Sequence, residues 1–139
     1  MVSRKGELAR EPACVMVVDD DREVRDMLRL ALEQVGYLVE DAGDGAEALE
    51  RLQEGLRPSL ILLDLMMPIM TGWELWEAMN RDPELGDMPV VVLSAVERLE
   101  EATRALGGLE YVSKPISIRN LLLLVGRYCG KAGGIDLPN

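Results

Sequence analysis

Asp19, Asp20 and Asp21 form an acidic run, and a lone Asp64, a Ser94 and a Lys114 follow at wide intervals. Clustered carboxylates repel one another, and their ionised forms are costly in a partly buried crevice unless a cation neutralises them. A hard divalent ion with oxygen ligands meets that need. Mg2+ suits a few carboxylates combined with waters and phosphate oxygens. A carboxylate can also be a nucleophile, as in enzymes that pass through an aspartyl phosphate. Phosphoryl transfer to such a group depends on positioning and charge neutralisation more than on covalent help. A metal, an ammonium group and a hydroxyl donor supply that neutralisation. Taken singly, each residue has a plainer use: Asp19 to Asp21 suit a helix N-terminus, Asp64 a turn, Ser94 a cap, Lys114 a solvated surface. Their joint placement decides between the two readings.

The elements that must position them alternate along the chain. Cys14 to Val18 is a short apolar run that ends at the acidic cluster. Residues 22–35 follow, with Val24, Met27, Leu28, Ala31 and Val35 at helical spacing. Gly36 stops that helix. Tyr37-Leu38-Val39 begins a second strand, Asp44-Gly45 turns the chain, and Ala46, Leu49 and Leu52 line one face of a second helix that Pro58 breaks. Leu60 to Leu63 is a third strand, apolar on both faces, ending at Asp64. Trp73, Trp76 and Met79 mark a third helix, with the tryptophans expected in packing rather than binding. Val90 to Leu93 is a fourth strand ending at Ser94; residues 96–106 form a fourth helix stopped by Gly107-Gly108. Leu109 to Val112 make a last strand before Lys114, and Ser117 caps a fifth helix over about 118–129. Met16, Met27 and Met79 are ordinary core candidates.

Five strands alternating with five helices imply an α/β fold, doubly wound, with a parallel sheet covered on both faces. Continuous apolar strands support burial on both sides. In open α/β sheets ligands sit outside the carboxyl ends of the strands. Asp19, Asp20, Asp64, Ser94 and Lys114 each follow a predicted strand, so they converge on one edge.

Composition narrows the partners. With 139 residues the chain fits one domain, and 48% hydrophobic residues argue against disorder. A net charge of -10 repels phosphate backbones and anionic lipids, which counts against direct nucleic-acid or membrane binding. Arg4, Lys5 and Arg10 make only a weak basic patch. Cys14 and Cys129 stand far apart in apolar sequence and read as reduced thiols of a cytoplasmic protein, with a disulfide the lesser reading. Residues 1–12 read as a flexible leader without a secretory signal and 131–139 as a flexible tail.

At this point VMVVDDD, ILLDLMMPIMTGWEL, VVVLSA and YVSKPI resemble, in order, the motifs of receiver domains (CheY-like) of two-component response regulators. The resemblance covers residues 13–130. It implies a flavodoxin-like sheet in the order 2-1-3-4-5, and that order comes from the resemblance rather than from periodicity. Asp64 would be the phosphoacceptor. Asp19, Asp20, Asp64 and the backbone carbonyl of Met66 would hold Mg2+, with Mn2+ as a substitute. Lys114 would pair with the carboxylate and then with the phosphoryl group. Ser94 would hydrogen-bond a phosphoryl oxygen, Ala95 would keep access open, and Tyr111 would rotate as Ser94 moves. Pro115 matches a proline that usually follows a cis bond in the family. The resemblance implies a sensor histidine kinase or histidine phosphotransfer protein as donor; this chain contains no histidine and cannot be its own phosphohistidine carrier. The receiver would act on an unknown downstream protein and catalyse only its own phosphorylation and dephosphorylation.

Two departures from the common pattern stand out. Thr71 replaces a frequent Asp before Gly72, which concerns the start of the third helix. The stretch from Ser94 to Lys114 is about two residues short, on a face used for partners. Met66 and Val96, two positions after Asp64 and Ser94, would flank the phosphoryl group; both are apolar, so slow self-dephosphorylation is expected. In the last helix Ile118, Leu122, Val125 and Cys129 are the expected core stripe, and Leu121, Leu124 and Tyr128 a second one. The second stripe suggests either broad burial or a homodimer face shared with the 96–106 helix. Sedimentation with and without an acyl-phosphate mimic separates these, a monomer in both states counting against the dimer. Two rival readings are a phosphate-independent interaction module with the same fold and, more remotely, a haloacid-dehalogenase-like phosphatase. The latter would put its nucleophile after the first strand, leaving Asp64 unexplained.

Overall fold

The computed structural model describes residues 13–95 and 109–130. Its elements are β1 (Cys14–Val18), α1 (Arg22–Gln34), β2 (Leu38–Ala42), α2 (Gly45–Gln53), β3 (Leu60–Asp64), α3 (Gly72–Arg81), β4 (Val90–Ala95), β5 (Tyr111–Lys114) and α4 (Ile118–Cys129). The five strands form one parallel sheet in the order β2-β1-β3-β4-β5. Four helices are therefore described. The helix expected over 96–106 with its Gly107-Gly108 stop, the flanking Val96, the leader 1–12 and the tail 131–139 lie outside the described residues.

Strands apolar at every position make two cores, because successive side chains point to opposite faces. Val15, Val17, Leu60, Leu62, Val91 and Leu93 pack with Leu28, Leu32, Leu121 and Val125 from α1 and α4. Met16, Val18, Ile61 and Leu63 pack on the other face with Leu52, Leu75 and Met79 from α2 and α3. Each such buried aliphatic side chain contributes on the order of 1.5–3 kcal/mol relative to exposure. The exposed edge strand β2 is covered by arginines: Arg29 donates to the Val39 carbonyl at 2.9 Å and Arg51 to the Asp41 carbonyl at 2.8 Å. Groups that would otherwise invite pairing with another strand are thereby occupied.

The helix stripes differ from expectation in detail. In α1 the buried residues are Leu28 and Leu32, while Met27 is 40% exposed. The helix carries more apolar residues than one face can bury, so spacing alone does not fix its rotation. In α2 the buried face is Gly45, Ala48 and Leu52, and Ala46 is exposed. That helix ends at Gln53, ahead of Pro58, where Gly55 takes a φ of 114°. In α4 the buried set is Leu121, Leu124 and Val125, whereas Ile118, Leu122 and Cys129 are only partly buried. The second stripe thus supplies most of the core contact, and Tyr128 and Leu123 stay exposed. Trp73 and Trp76 are half-buried packing residues. Cys14 and Cys129 are free. Burial pushes both thiols up, that of Cys129 to about 11, so neither is a ready thiolate at neutral pH.

Candidate functional site

The sheet register brings the site together. Val18 pairs with Leu63, so the next residues, Asp19 and Asp64, leave β1 and β3 side by side. This is the point where the strand order reverses, β2 lying on one side of β1 and β3 on the other. Asp64 pairs with Leu93 and Ala95 with Lys114, which brings Ser94 and Lys114 to the same edge.

Local structure then fixes each group. Asp21 caps α1, its carboxylate accepting the Glu23 N–H at 2.9 Å. Asp19 is fully buried and held from all sides. Its N–H donates to the Ala42 carbonyl at 3.2 Å, and its Oδ1 accepts the Asp21 N–H at 2.9 Å. Its Oδ2 accepts from Lys114 Nζ at 2.9 Å, and its carbonyl accepts from Arg25 at 2.7 Å. Arg25 is anchored in turn by Asp41 at 3.3 Å. Sequence reading missed Arg25; its place in the first two turns after the acidic run was the available signal. Asp20 is exposed at the mouth of the site.

Asp64 is buried, with one oxygen accepting the Met66 N–H at 3.3 Å and the other 3.7 Å from Lys114 Nζ. Gly72 lets α3 start directly against β3. Its N–H donates to the Leu65 carbonyl at 3.1 Å, and a Cβ there would overlap the Asp64 carbonyl oxygen. Thr71 completes a capping box with Glu74, so the departure at this position leaves the helix start intact. Ser94 is buried, and among the described residues its Oγ makes one long bond, donating to the Ala95 carbonyl at 3.4 Å. Ala95 is half-buried, and Tyr111 is 46% exposed. The Lys114–Pro115 peptide bond is cis. Met66 is exposed beside Asp64; its expected flanking partner Val96 lies outside the described residues.

Electrostatics mark Asp64 as the unusual acid. Burial first, and then the neighbouring Asp19 charge, raise its carboxyl from the ordinary 3.8 to about 6, with Lys114 opposing. Burial alone would lower the Lys114 ammonium, but its hydrogen bond to Asp19 and the charges of Asp19 and Asp64 prevail and raise it.

One oxygen from each of Asp19, Asp20 and Asp64 lies within 4.8 Å of the others. Opposed ligands of an octahedral Mg2+ stand about 4.2 Å apart, so the all-oxygen donor set fits such an ion and the three oxygens lie near the span it requires. Three carboxylates against one ammonium also leave an excess of negative charge that a divalent cation relieves. Among the described residues, no helix is long and apolar enough to cross a membrane.

Comparison with known proteins agrees with this geometry. The response regulator receiver domain model matches residues 15–125. The response regulator MprA of Mycobacterium sp. (strain KMS) is 39% identical over 113 residues, covering 80% of this chain and 48% of MprA. The chain thus spans about half the length of that relative. A 14.6 kDa protein of Leptolyngbya boryana is 38% identical over 117 residues, with 83% of this chain and 88% of that one covered. The solved structure of chemotaxis protein CheY4 of Vibrio cholerae superposes with a TM-score of 0.74 at 32% identity, covering 84% of this chain and 98% of that one. The four motifs, the sheet order and these likenesses agree, and the chain belongs to the family of response regulator receiver domains.

Proposed function

We propose that Asp64 accepts a phosphoryl group from a phosphohistidine on a sensor histidine kinase or histidine phosphotransfer protein, and that this switches which protein the domain binds. The observation that carries this reading is the convergence of Asp19, Asp20 and Asp64 within 4.8 Å, with Lys114 bridging two of them. An Asp64 oxygen attacks phosphorus in line with the P–N bond. The P–O bond forms and the P–N bond breaks; the departing ring nitrogen keeps the electron pair, and the proton already on the other ring nitrogen makes the leaving group a neutral imidazole. Asp19, Asp20, Asp64 and the Met66 backbone carbonyl would hold Mg2+ or Mn2+, which supplies neutralising charge for the phosphoryl oxygens when bound.

The remaining work falls to the chain's own residues. Lys114 transfers its pairing from the Asp64 carboxylate to a phosphoryl oxygen. The Ser94 hydroxyl, whose bond to the Ala95 carbonyl is a long 3.4 Å, turns to a second phosphoryl oxygen. Ala95 is small enough to leave the approach open, and Pro115 sets the backbone path after Lys114. The exposed Tyr111 ring moves inward as Ser94 shifts, giving a two-state equilibrium that the phosphoryl group biases. The domain acts in the cytoplasm through proteins, without direct nucleic-acid or membrane contact, and promotes only its own phosphorylation and dephosphorylation.

Beryllium fluoride with Mg2+, an acyl-phosphate mimic, tests the switch. Amide resonances of Ser94, Tyr111 and Lys114 shift in the wild type and stay fixed in Asp64→Asn. A wild type whose resonances do not respond contradicts the reading.

A further inference from the structure

We infer that the groove between α2 and the loop joining β3 to α3, with Ile69 on its rim, docks a basic amphipathic segment of a partner protein. The groove encloses about 530 Å³. Its apolar lining comes from Ala46, Leu49, Ile69 and Met70, and its charge from Asp44, Glu47 and Glu50. It belongs to the α2–α3 side of the sheet, whose core is separate from that under α1 and α4.

The two walls are locked together before any partner arrives. The Gly45 N–H donates to the Met70 carbonyl at 3.1 Å. A Cβ at position 45 would lie 2.7 Å from that oxygen and 2.8 Å from Met70 Cγ, so only glycine permits this approach. A preformed groove loses little freedom on binding.

Ile69 is the centre of a three-residue turn closed by the Met70 N–H, which donates to the Pro68 carbonyl at 2.8 Å. Its φ is 68°, the left-handed region, where a β-branched residue is a strained outlier. It is also 83% exposed, so burial within the chain does not offset that strain. Glycine or asparagine would serve the turn better. An apolar side chain held at this cost on a groove rim gains its contacts when a second molecule covers it.

Charge identifies the occupant. Three carboxylates line the groove, and no Lys or Arg is among its lining residues. Two of them are already oriented: Asp44 Oδ1 accepts the Glu47 N–H at 2.8 Å, and Glu47 Oε1 accepts the Gly43 N–H at 3.0 Å. Their remaining lone pairs await donors without further ordering. An apolar stripe flanked by Lys or Arg, as on one side of an amphipathic helix, matches both features. The net charge of -10 assists its approach.

The test uses an 18-residue helical peptide of leucine and lysine with one apolar face, and its leucine–glutamate counterpart. Fluorescence anisotropy is measured with wild type, Ile69→Gly and Glu50→Gln, alongside thermal melts. The leucine–lysine peptide binds the wild type, shifting amide resonances within 44–53 and 66–71. Ile69→Gly weakens it at least tenfold while melting at the same or a higher temperature, and Glu50→Gln weakens it severalfold. The leucine–glutamate peptide does not bind. Absence of binding, equal affinity for Ile69→Gly, or shifts centred elsewhere overturns the inference. Because none of these readings uses phosphate, their failure leaves the proposed phosphoryl chemistry untouched.

Discussion

Lys114, at the end of β5, donates a 2.9 Å hydrogen bond to Asp19, at the end of β1, although β3 and β4 lie between those strands. The ammonium reaches across the carboxyl edge of the sheet and lies 3.7 Å from Asp64 on the way. A metal ion held by the proposed ligands would therefore compete with it for the Asp19 carboxylate.

Lys114→Ala should separate these roles. Removing the competing cation strengthens Mg2+ binding severalfold in calorimetric titration. Phosphorylation by a small donor slows by at least tenfold, because an ammonium no longer meets the charge developing on the phosphoryl oxygens. Weaker Mg2+ binding in this variant would contradict the competition.

The raised Asp64 carboxyl has a consequence for stability. Below about pH 4 both folded and unfolded chains hold the proton. Between about 4 and 6 the unfolded chain releases it while the folded one keeps it, and above 6 both are ionised. The unfolded state binds fewer protons in that window, so stability falls as pH rises through it and stays lower above it. The cost is on the order of 2–3 kcal/mol in the metal-free protein, since each tenfold change in acidity corresponds to about 1.4 kcal/mol. In EDTA, Asp64→Asn should match the wild type near pH 4 and exceed it by about that amount at pH 7 in urea unfolding. A variant less stable at both values would refute the burial argument.

Gly72→Ala places a methyl group against the Asp64 carbonyl and Leu65 Cα. Backbone on both sides cannot yield as a flexible side chain would, so overpacking should cost about 1–3 kcal/mol. Because the overlap is with the backbone of Asp64, the proposed phosphoacceptor and metal ligand, Mg2+ affinity should fall as well. Chemical denaturation and metal titration of the same variant measure the two effects.

Met66 is 47% exposed two residues beyond Asp64 and offers no strong hydrogen bond to an attacking water. Met66→Asn or Met66→Glu should shorten the lifetime of the phosphorylated protein severalfold, followed as loss of phosphate over time. An unchanged half-life in both variants would remove Met66 from the control of dephosphorylation.

The sequence made some of this legible and hid the rest for physical reasons. Four apolar runs, each ending at Asp19, Asp64, Ser94 or near Lys114, announced a sheet buried on both faces and a polar edge, since each strand must fill two cores. Helix rotation was less legible. In α1 and α4 apolar residues cover more than one face, so Met27 turned out exposed and Leu121 and Leu124 took the core places expected of Ile118 and Leu122. Arg25 escaped notice because its bond goes to a backbone carbonyl, so only its place just after the acidic run marks it. Ile69 escaped because a β-branched residue is the last one expected at positive φ.

Intact mass after incubation with acetyl phosphate and Mg2+, for wild type and Asp64→Asn, tests the central claim most directly. The account predicts a gain of one phosphoryl group in the wild type alone, abolished by EDTA. A wild type that gains nothing from acetyl phosphate or a phosphorylated histidine kinase, or an Asp64→Asn variant that gains as much, would contradict it.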